Sequence, residues 1–397
     1  MLTVHGRRYD TGEPIEVVMR GERILSVRPV WPDGDLESWP IIAPALFDLQ
    51  INGHGGTWFS DSELTPQQVH RAVQAYLRFG VTRLCPTLIT NSFEALAKGF
   101  RAIHQACEED PVTARMVPGC HLEGPYISSE DGPRGAHPRQ HVVRADWDEF
   151  SRLQDSAGGR IKLVTVAPEQ DGVIEFIRTA VTNGLVIAIG HTAATPEQIR
   201  AAVDAGATLS THLGNGCSTM LHRHRNPLWE QLADDRLTSS LIVDGHHLPA
   251  NIVRTVVKVK TPRNVVLTCD AAGWAGCPPG VYESALGRSE ILDNGKLVVA
   301  GQRELLAGSA LETDVCVVKV REYAGVGWKA AIDMTSRNPA RLLGYEAPRL
   351  RRHGLADLFL FHHTPGDDRL QVLATIAGGA VTYGSIPMIK TRESSAV

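Results

Sequence analysis

The sequence predicts an α/β protein whose body is a (β/α)8 barrel of the TIM type, joined to a small β-sandwich built from both termini. Three observations predict it. Eight short, nearly continuous apolar runs recur between residues 41 and 273, segments of helical period separate them, and both ends of the chain switch to short β-like pieces. Continuous apolar runs, rather than alternating ones, are the pattern of strands covered on both faces, as in a parallel sheet. Repeated strand and helix units give such a sheet, and eight of them close it into a barrel. An open doubly wound sheet is the alternative, but no G-x-G-x-x-G follows the first run to support a dinucleotide site.

In chain order the expected strands are 41–51, 81–90, 117–125, 161–169, 185–191, 207–215, 237–245 and 264–273. Two of the intervening helices announce their starts. Thr65-Pro66 and Thr195-Pro196 each pair an N-cap hydroxyl with proline at the first helical position, and the helices end at Gly80 and Gly206. Residues 1–40 hold EPIEVVM and RILSVRPV, and residues 354–384 hold LADLFLF, LQVLATIAG and AVTYG. Neither set has enough strands to stand alone, so the two are expected to form one sandwich. The expected division is 1–43 and 346–397 for the sandwich and 44–345 for the barrel, with KTRESSAV as a frayed tail.

Composition bounds the function. With 397 residues, 43% of them hydrophobic, the chain can bury a large core. Forty Lys and Arg stand against 44 Asp and Glu with no basic block, so nucleic acid is not an expected partner. No apolar stretch reaches the ~18 residues of a membrane span, and the first residues lack a signal-peptide core. A cytoplasmic protein is expected. Seven cysteines, an odd number without a C-x-x-C pair, read as free thiols in a reducing compartment. Histidine is the unusual residue, because nine of the 16 lie between His121 and His247.

Reacting groups of such a barrel project from the carboxyl ends of its strands. Here those ends carry Asp48, Gln50 and Asn52; Thr87; Glu123; Glu169; His191; His212 and Asn215; Asp244 and His247; and Asp270. A single histidine is ordinarily a solvated or core residue. Glu123, His191 and His212 together supply one carboxylate and two imidazoles, a catalytic zinc set that leaves a position for water. Asp270 is then the general base, taking a proton from water and returning it to the leaving amine, with helix capping as its structural alternative. His247 is placed to donate to a substrate carbonyl. The first strand offers the amides Gln50 and Asn52 where binuclear sites carry H-x-H, which predicts one metal; His54 in the following loop is the remaining candidate for a second.

At this point the ordered motifs resemble the N-acetylglucosamine-6-phosphate deacetylases of the amidohydrolase superfamily. They are PALFDLQINGHGG (44–56), PTLIT (86–90), HLEGPYIS (121–128), GAHP (135–138), APE (167–169), GHTAAT (190–195), THLGN (211–215), VDGHHL (243–248), TCDA (268–271), LAGSALE (306–312) and NPARLLG (338–344). The resemblance spans nearly the whole chain. It implies a metal-dependent barrel with a β-sandwich, one divalent ion (zinc, or iron, cobalt or manganese) on Glu123, His191 and His212, and Asp270 as base. It implies contacts to an N-acetylated amino-sugar phosphate from His247, His137, Asn215, the backbone N–H of Gly216, Arg225, Gln50 and Leu306. It also implies a homodimer.

The departures from the family pattern fall together. Gly214 replaces an aromatic residue, Gly216-Cys217 replaces Ala-Met, and STMLHRHRNPLW is two residues longer before Arg225-Asn226-Pro227, with Leu228-Trp229 where glycine is usual. The phosphate partner is therefore Arg223 or Arg225, or the pocket is rebuilt for an unphosphorylated N-acetyl sugar or an N-acyl amino acid, and HRHR is alternatively a solvated basic loop. A non-catalytic barrel kept for binding would be expected to lack ligands or base, which this chain retains.

Overall fold

Eight parallel strands surround a packed axis in the computed structural model, which describes residues 1–284 and 287–392. They are Leu46–Ile51, Val81–Ile89, Cys120–Glu123, Ile161–Val166, Val186–Ile189, Leu209–Ser210, Thr238–Ile242 and Val265–Thr268, hydrogen-bonded in that sequence. Each lies inside one of the eight apolar runs. The helix Pro66–Ala75 is capped by Thr65, and Pro196–Asp204 by Thr195, both with a capping box completed by a glutamine three residues on. These helices bury Val69, Ala72 and Val73, and Ile199, Ala202 and Val203, against the barrel. Each such valine or isoleucine contributes about 1.5–3 kcal/mol.

The barrel is filled, not hollow. Phe47, Leu49, Cys85, Leu163, Ala188, Leu209 and Val266 form one buried cluster inside it with Ala340. Tyr345 closes the amino-terminal end, its ring 6.2 Å from that of Phe47 and its hydroxyl donating to the Pro118 carbonyl at 2.7 Å. A packed interior leaves the rim at the opposite end as the place for chemistry.

Closure rests on the seam between the first and eighth strands. Ile51 bridges Ala271 in parallel, and the Asn52 N–H donates to the Ala271 carbonyl at 2.8 Å. Beside it the buried Asp48 carboxylate accepts from Thr268 Oγ1, from the N–H of Cys269 (2.9 Å) and Gln50 (3.0 Å), and from Thr313 Oγ1 (2.6 Å). Asp48 is thus the staple of the seam.

The two termini form one seven-stranded sheet in the order Ala380–Gly384, Gln371–Ala377, Leu358–His362, Ile41–Pro44, Leu2–Arg8, Pro14–Arg20, Arg23–Pro29. Ile41–Pro44, expected as the start of the first barrel strand, belongs to this sheet instead, antiparallel to Leu358–His362. The reason is local. Pro44 has no N–H to donate to a ladder, and Ala45 directs its own to the Asp357 carbonyl, so the ladder breaks there before the chain enters the barrel. Thr391–Arg392 pairs with Trp31–Pro32, so the expected frayed tail begins as a strand; residues 393–397 lie outside the described residues. A four-stranded antiparallel sheet, Gly280–Ser284, Gly287–Ile291, Leu297–Val299 and Gln302–Leu306, follows the eighth strand where no element was expected. Its strands are three to five residues long, and the first and last have no buried residue, which leaves no apolar period to read. No helix among the described residues is long and apolar enough to cross a membrane.

Replacing Asp48 by alanine strands four donors at the seam, two of them backbone N–H groups. Asp48→Ala is expected to lower the unfolding free energy by roughly 3 kcal/mol or more, measured by urea denaturation, whereas an unchanged midpoint would remove the staple role.

Candidate active site

Three residues that end barrel strands share an uncommon backbone. His191, His212 and Asp270 have φ of 50°, 28° and 51°, in the left-handed region that side chains other than glycine avoid. Such strain persists only where surrounding bonds hold it. The Glu169 carboxylate accepts from the Ala193 N–H at 2.7 Å and from Thr192 Oγ1, fixing the turn after His191. The His212 N–H donates to Ser240 Oγ at 2.7 Å, and Asp270 N–H is directed at Thr268 Oγ1. The left-handed step turns each side chain off its strand and into the rim.

The three side chains Glu123, His191 and His212 then meet, all buried. Glu123 Oε1 lies 3.2 Å from His191 Nε2 and 3.0 Å from His212 Nε2, and the two imidazole nitrogens are 3.1 Å apart. His191 Nδ1 lies 2.9 Å from the Pro133 carbonyl, which can only accept, so Nδ1 carries a proton and Nε2 is the nitrogen turned into the cluster. That nitrogen faces a carboxylate oxygen and a second imidazole nitrogen. Positive charge among them removes the repulsion, and the donor set fits a divalent cation. Burial acts to raise the Glu123 carboxyl, but the bonds from His191 and His212 outweigh it and hold the group well below the usual carboxylate range. Among the described residues this is the one group of three or more His, Cys, Asp or Glu side chains whose ligand atoms lie within 4.8 Å of one another.

Asp270 faces this cluster across Gln50. The Gln50 amide donates to Glu123 Oε1 at 2.8 Å and to Asp270 Oδ1 at 3.0 Å, while Asn52 Nδ2 donates to the same Asp270 oxygen at 2.8 Å. Burial, and then the charge of Glu123, push the Asp270 carboxyl above its ordinary range. Asp270 Oδ2 is left without a bond from these amides.

His247 is aimed by a dyad that includes Asp244. Its Nδ1 lies 2.8 Å from Asp244 Oδ2, and the same carboxylate accepts from the N–H groups of His246 and His247 and from Ser309 Oγ. Burial acts to raise Asp244, but the charge and bond of His247 and these N–H groups prevail and hold it low, so it stays an anion. His137 sits with Nδ1 2.8 Å from Thr90 Oγ1 and Nε2 3.9 Å from Glu123 Oε2; burial, reinforced by His191, pushes it down to about 3 and keeps it neutral.

The other expected contacts are placed unequally. Gly216 lies against the site, and a Cβ there would come within 2.8 Å of His191 Nδ1. Asn215 Nδ2 donates to the His212 carbonyl at 3.2 Å. Gln50, expected against a ligand, has both amide hydrogens on Glu123 and Asp270 and so orients the cluster. Leu306 ends the four-stranded insert, half-buried and paired with Val298, three residues before Ser309. Arg225, expected against the phosphate, has its side chain 66% exposed and lies 3.0 Å from the Glu197 carboxylate. His54 is held by Glu312 at 3.2 Å and is not part of the ligand cluster. The sequence reading gave no role to Asn52 as a partner of Asp270, to Asp244 as the anchor of His247, or to Thr90 beneath His137. Asn52 and Asp244 stand at strand ends, which was their signal; the bond from Thr90 is tertiary.

The amidohydrolase family model matches residues 41–384. The chain is 32% identical over 359 residues to N-acetylglucosamine-6-phosphate deacetylase of Bos taurus, covering 86% of this chain and 83% of the relative. The chain belongs to the amidohydrolase family, in its N-acetylglucosamine-6-phosphate deacetylase branch. N-acetylgalactosamine-6-phosphate deacetylase of Escherichia coli O157:H7 is equally similar, 32% identical over 324 residues, covering 81% of this chain and 83% of that one. A crystal structure of N-acetyl-D-glucosamine-6-phosphate deacetylase from Mycobacterium smegmatis superposes with a TM-score of 0.84 at 30% identity, over 96% of this chain and 100% of that one. A mutant of the same enzyme, solved in complex with N-acetyl-D-glucosamine-6-phosphate, gives 0.83 at 30% identity over 93% and 94%. The rim of this amidohydrolase is therefore where its reaction belongs.

Gly216 has φ of 57° and no room for a side chain beside His191. Gly216→Ala is expected to displace the imidazole and weaken retention of a divalent cation by about tenfold or more, read by chelator competition; unaltered retention would show that His191 does not depend on this contact.

Proposed function

We propose that this amidohydrolase hydrolyses the acetamide of an N-acetylhexosamine 6-phosphate, giving acetate and the amino sugar phosphate. The observation that carries the reading is the buried Glu123, His191 and His212 cluster with Asp270 facing it through Gln50. In this reading the three hold one divalent cation, zinc or, with the same ligands, iron, cobalt or manganese. When bound, such an ion lowers the pKa of water toward about 7 and polarises a carbonyl.

The protein groups account for the protons. Asp270 takes a proton from the attacking water as the new C–O bond forms, and returns it to the amine nitrogen as the C–N bond breaks. Gln50 and Asn52 fix Oδ1, which aims Oδ2 at the reacting atoms. With Nδ1 of His247 on Asp244, Nε2 is the nitrogen left to meet the acetyl oxygen. His137, Asn215, the Gly216 N–H and Leu306 are assigned to the sugar. The phosphate is assigned to the loop His222–Arg225, and since Arg225 is engaged by Glu197, Arg223 is the arginine without a carboxylate partner among the described residues.

The relatives divide between glucosamine and galactosamine activities, so the epimer is left open within the reading. The reading also takes 44–345 as the catalytic unit with 1–43 and 346–397 flanking it, a homodimer by resemblance, and a reducing, cytoplasmic setting. The last is supported by seven cysteines that are all free.

Acetate release from N-acetylglucosamine, N-acetylgalactosamine and N-acetylmannosamine, each with and without the 6-phosphate, combined with metal analysis, tests the reading. Turnover is expected only with phosphate present; stoichiometric metal with no acetate from any phosphorylated sugar would sink it. Asp270→Asn should lower kcat by about a thousandfold with metal content and melting temperature retained. Arg223→Ala should raise KM for the phosphorylated sugar alone, and an equal loss on both substrate forms would withdraw the phosphate role.

A further inference from the structure

A cavity of about 1050 Å³ opens at the amino-terminal end of the barrel, away from the strand ends that carry Glu123 and Asp270. Its walls include the turn Pro262–Asn264 that leads into the eighth strand, tied to Asn338 through the carbonyls of Pro262 and Val265, and Tyr345, tied to Pro118 ahead of the third strand. Six cationic side chains line it: Arg263, Lys329, Arg337, Arg341, Arg349 and Arg351. Two carboxylates line it as well, and both are occupied. Asp333 takes Lys329 at 2.6 Å and Arg337 at 3.2 Å, while Glu346 takes Arg23 at 2.7 Å.

Arg263, Arg341, Arg349 and Arg351 are thus left without an ion-pair partner among the described residues. Arg341 instead donates to the Arg263 carbonyl, which holds its guanidinium in the wall close to two other cations. Burial lowers it, and Arg263 and Arg337 lower it further, the signature of like charges gathered in one place. All four are exposed and stand around the mouth of the cavity. Around a concave volume of the size that encloses small ligands, they make a field that an anion of matching size neutralises. Guanidinium binds phosphate oxygens in pairs, and four unpaired guanidiniums match about two phosphate groups.

We propose that this cavity binds a small phosphorylated metabolite carrying two phosphate groups, at a site separate from the reaction centre. The four arginines hold the phosphates, and the two occupied carboxylates bound the walls. A concave site of this volume on a chain of net charge -4 excludes an extended nucleic-acid strand, which needs a continuous basic track.

Isothermal titration calorimetry of the metal-loaded full chain with fructose 1,6-bisphosphate is the test, and it reads binding independently of any deacetylase activity. Saturable one-to-one binding is expected, weakened about tenfold or more in Arg349→Glu/Arg351→Glu, and more strongly at low salt than at high. Arg223→Ala, at the other end of the barrel, should bind the bisphosphate as the unmodified chain does. Arg349→Gln, a milder change, should weaken binding in the same direction with the melting temperature unchanged. Absence of saturable heat, binding lost in Arg223→Ala yet kept in the Arg349 variants, or tighter binding of a single-stranded oligonucleotide than of the bisphosphate would each overturn the proposal.

Discussion

A carboxylate buried at the mouth of a barrel cannot stay ionised there without positive charge, and Glu123 is such a carboxylate. Removing an unpaired ion from water costs several kcal/mol even after relaxation. Glu123 is nevertheless held in its charged form, because His191 and His212 converge on one of its oxygens and Gln50 donates to the same atom. The imidazoles reach that position only from left-handed backbone, and the backbone is held there by Glu169 and Ser240. The missing Cβ of Gly216 and the Pro133 carbonyl then fix which face and which nitrogen His191 presents to the cluster. One electrostatic demand thus sets the local geometry of several loops.

The barrel was legible because its strands are covered on both faces, so burial wrote continuous apolar runs into the chain. The paired Thr-Pro starts at 65–66 and 195–196 were legible because capping is chemistry confined to a few neighbouring residues. The split at Pro44 was not, since Ile41–Pro44 and Leu46–Ile51 are both fully buried and read as one run. Nothing apolar distinguishes them; only their partners in space do. The four short strands within 280–284 and 287–306 left no pattern for the opposite reason, having too few buried positions each to impose one. Glu123, His191, His212 and Asp270 were legible as residue types at strand ends, with the family resemblance supporting the same set.

Residue type alone does not fix a role, as Asp48 and Arg225 show. Asp48 stands at a strand end beside Gln50, as a reacting carboxylate would. Its four donors instead make it part of the seam, and burial pushes its carboxyl up against their opposing pull. Arg225 sits in the motif position for a phosphate partner, but Glu197 on the preceding helix is near enough to take it. In both cases the deciding fact is which partner arrives from elsewhere in the chain, and no spacing within a motif encodes that.

The terminal sheet has a part in the site as well. Arg369, in the connection between Leu358–His362 and Gln371–Ala377, donates to Glu312 at 2.8 Å. Glu312 is buried, and although burial acts to raise its carboxyl, His54 and Arg369 outweigh that and keep it ionised. His54 lies on the other side of Glu312, edge-on to the Tyr76 ring at 5.2 Å, and two residues from Asn52, the donor to Asp270. Charged and polar contacts therefore run from the terminal sheet through Glu312 to His54, in the loop that follows Asn52. Burial pushes the neighbouring Asp314 up to about 7 against the opposing charge of Arg369. A sheet that supplied only bulk would need no ion pair to a buried carboxylate. This one places Arg369 on Glu312, and so a residue from the far end of the chain is paired beside the loop that follows Asn52.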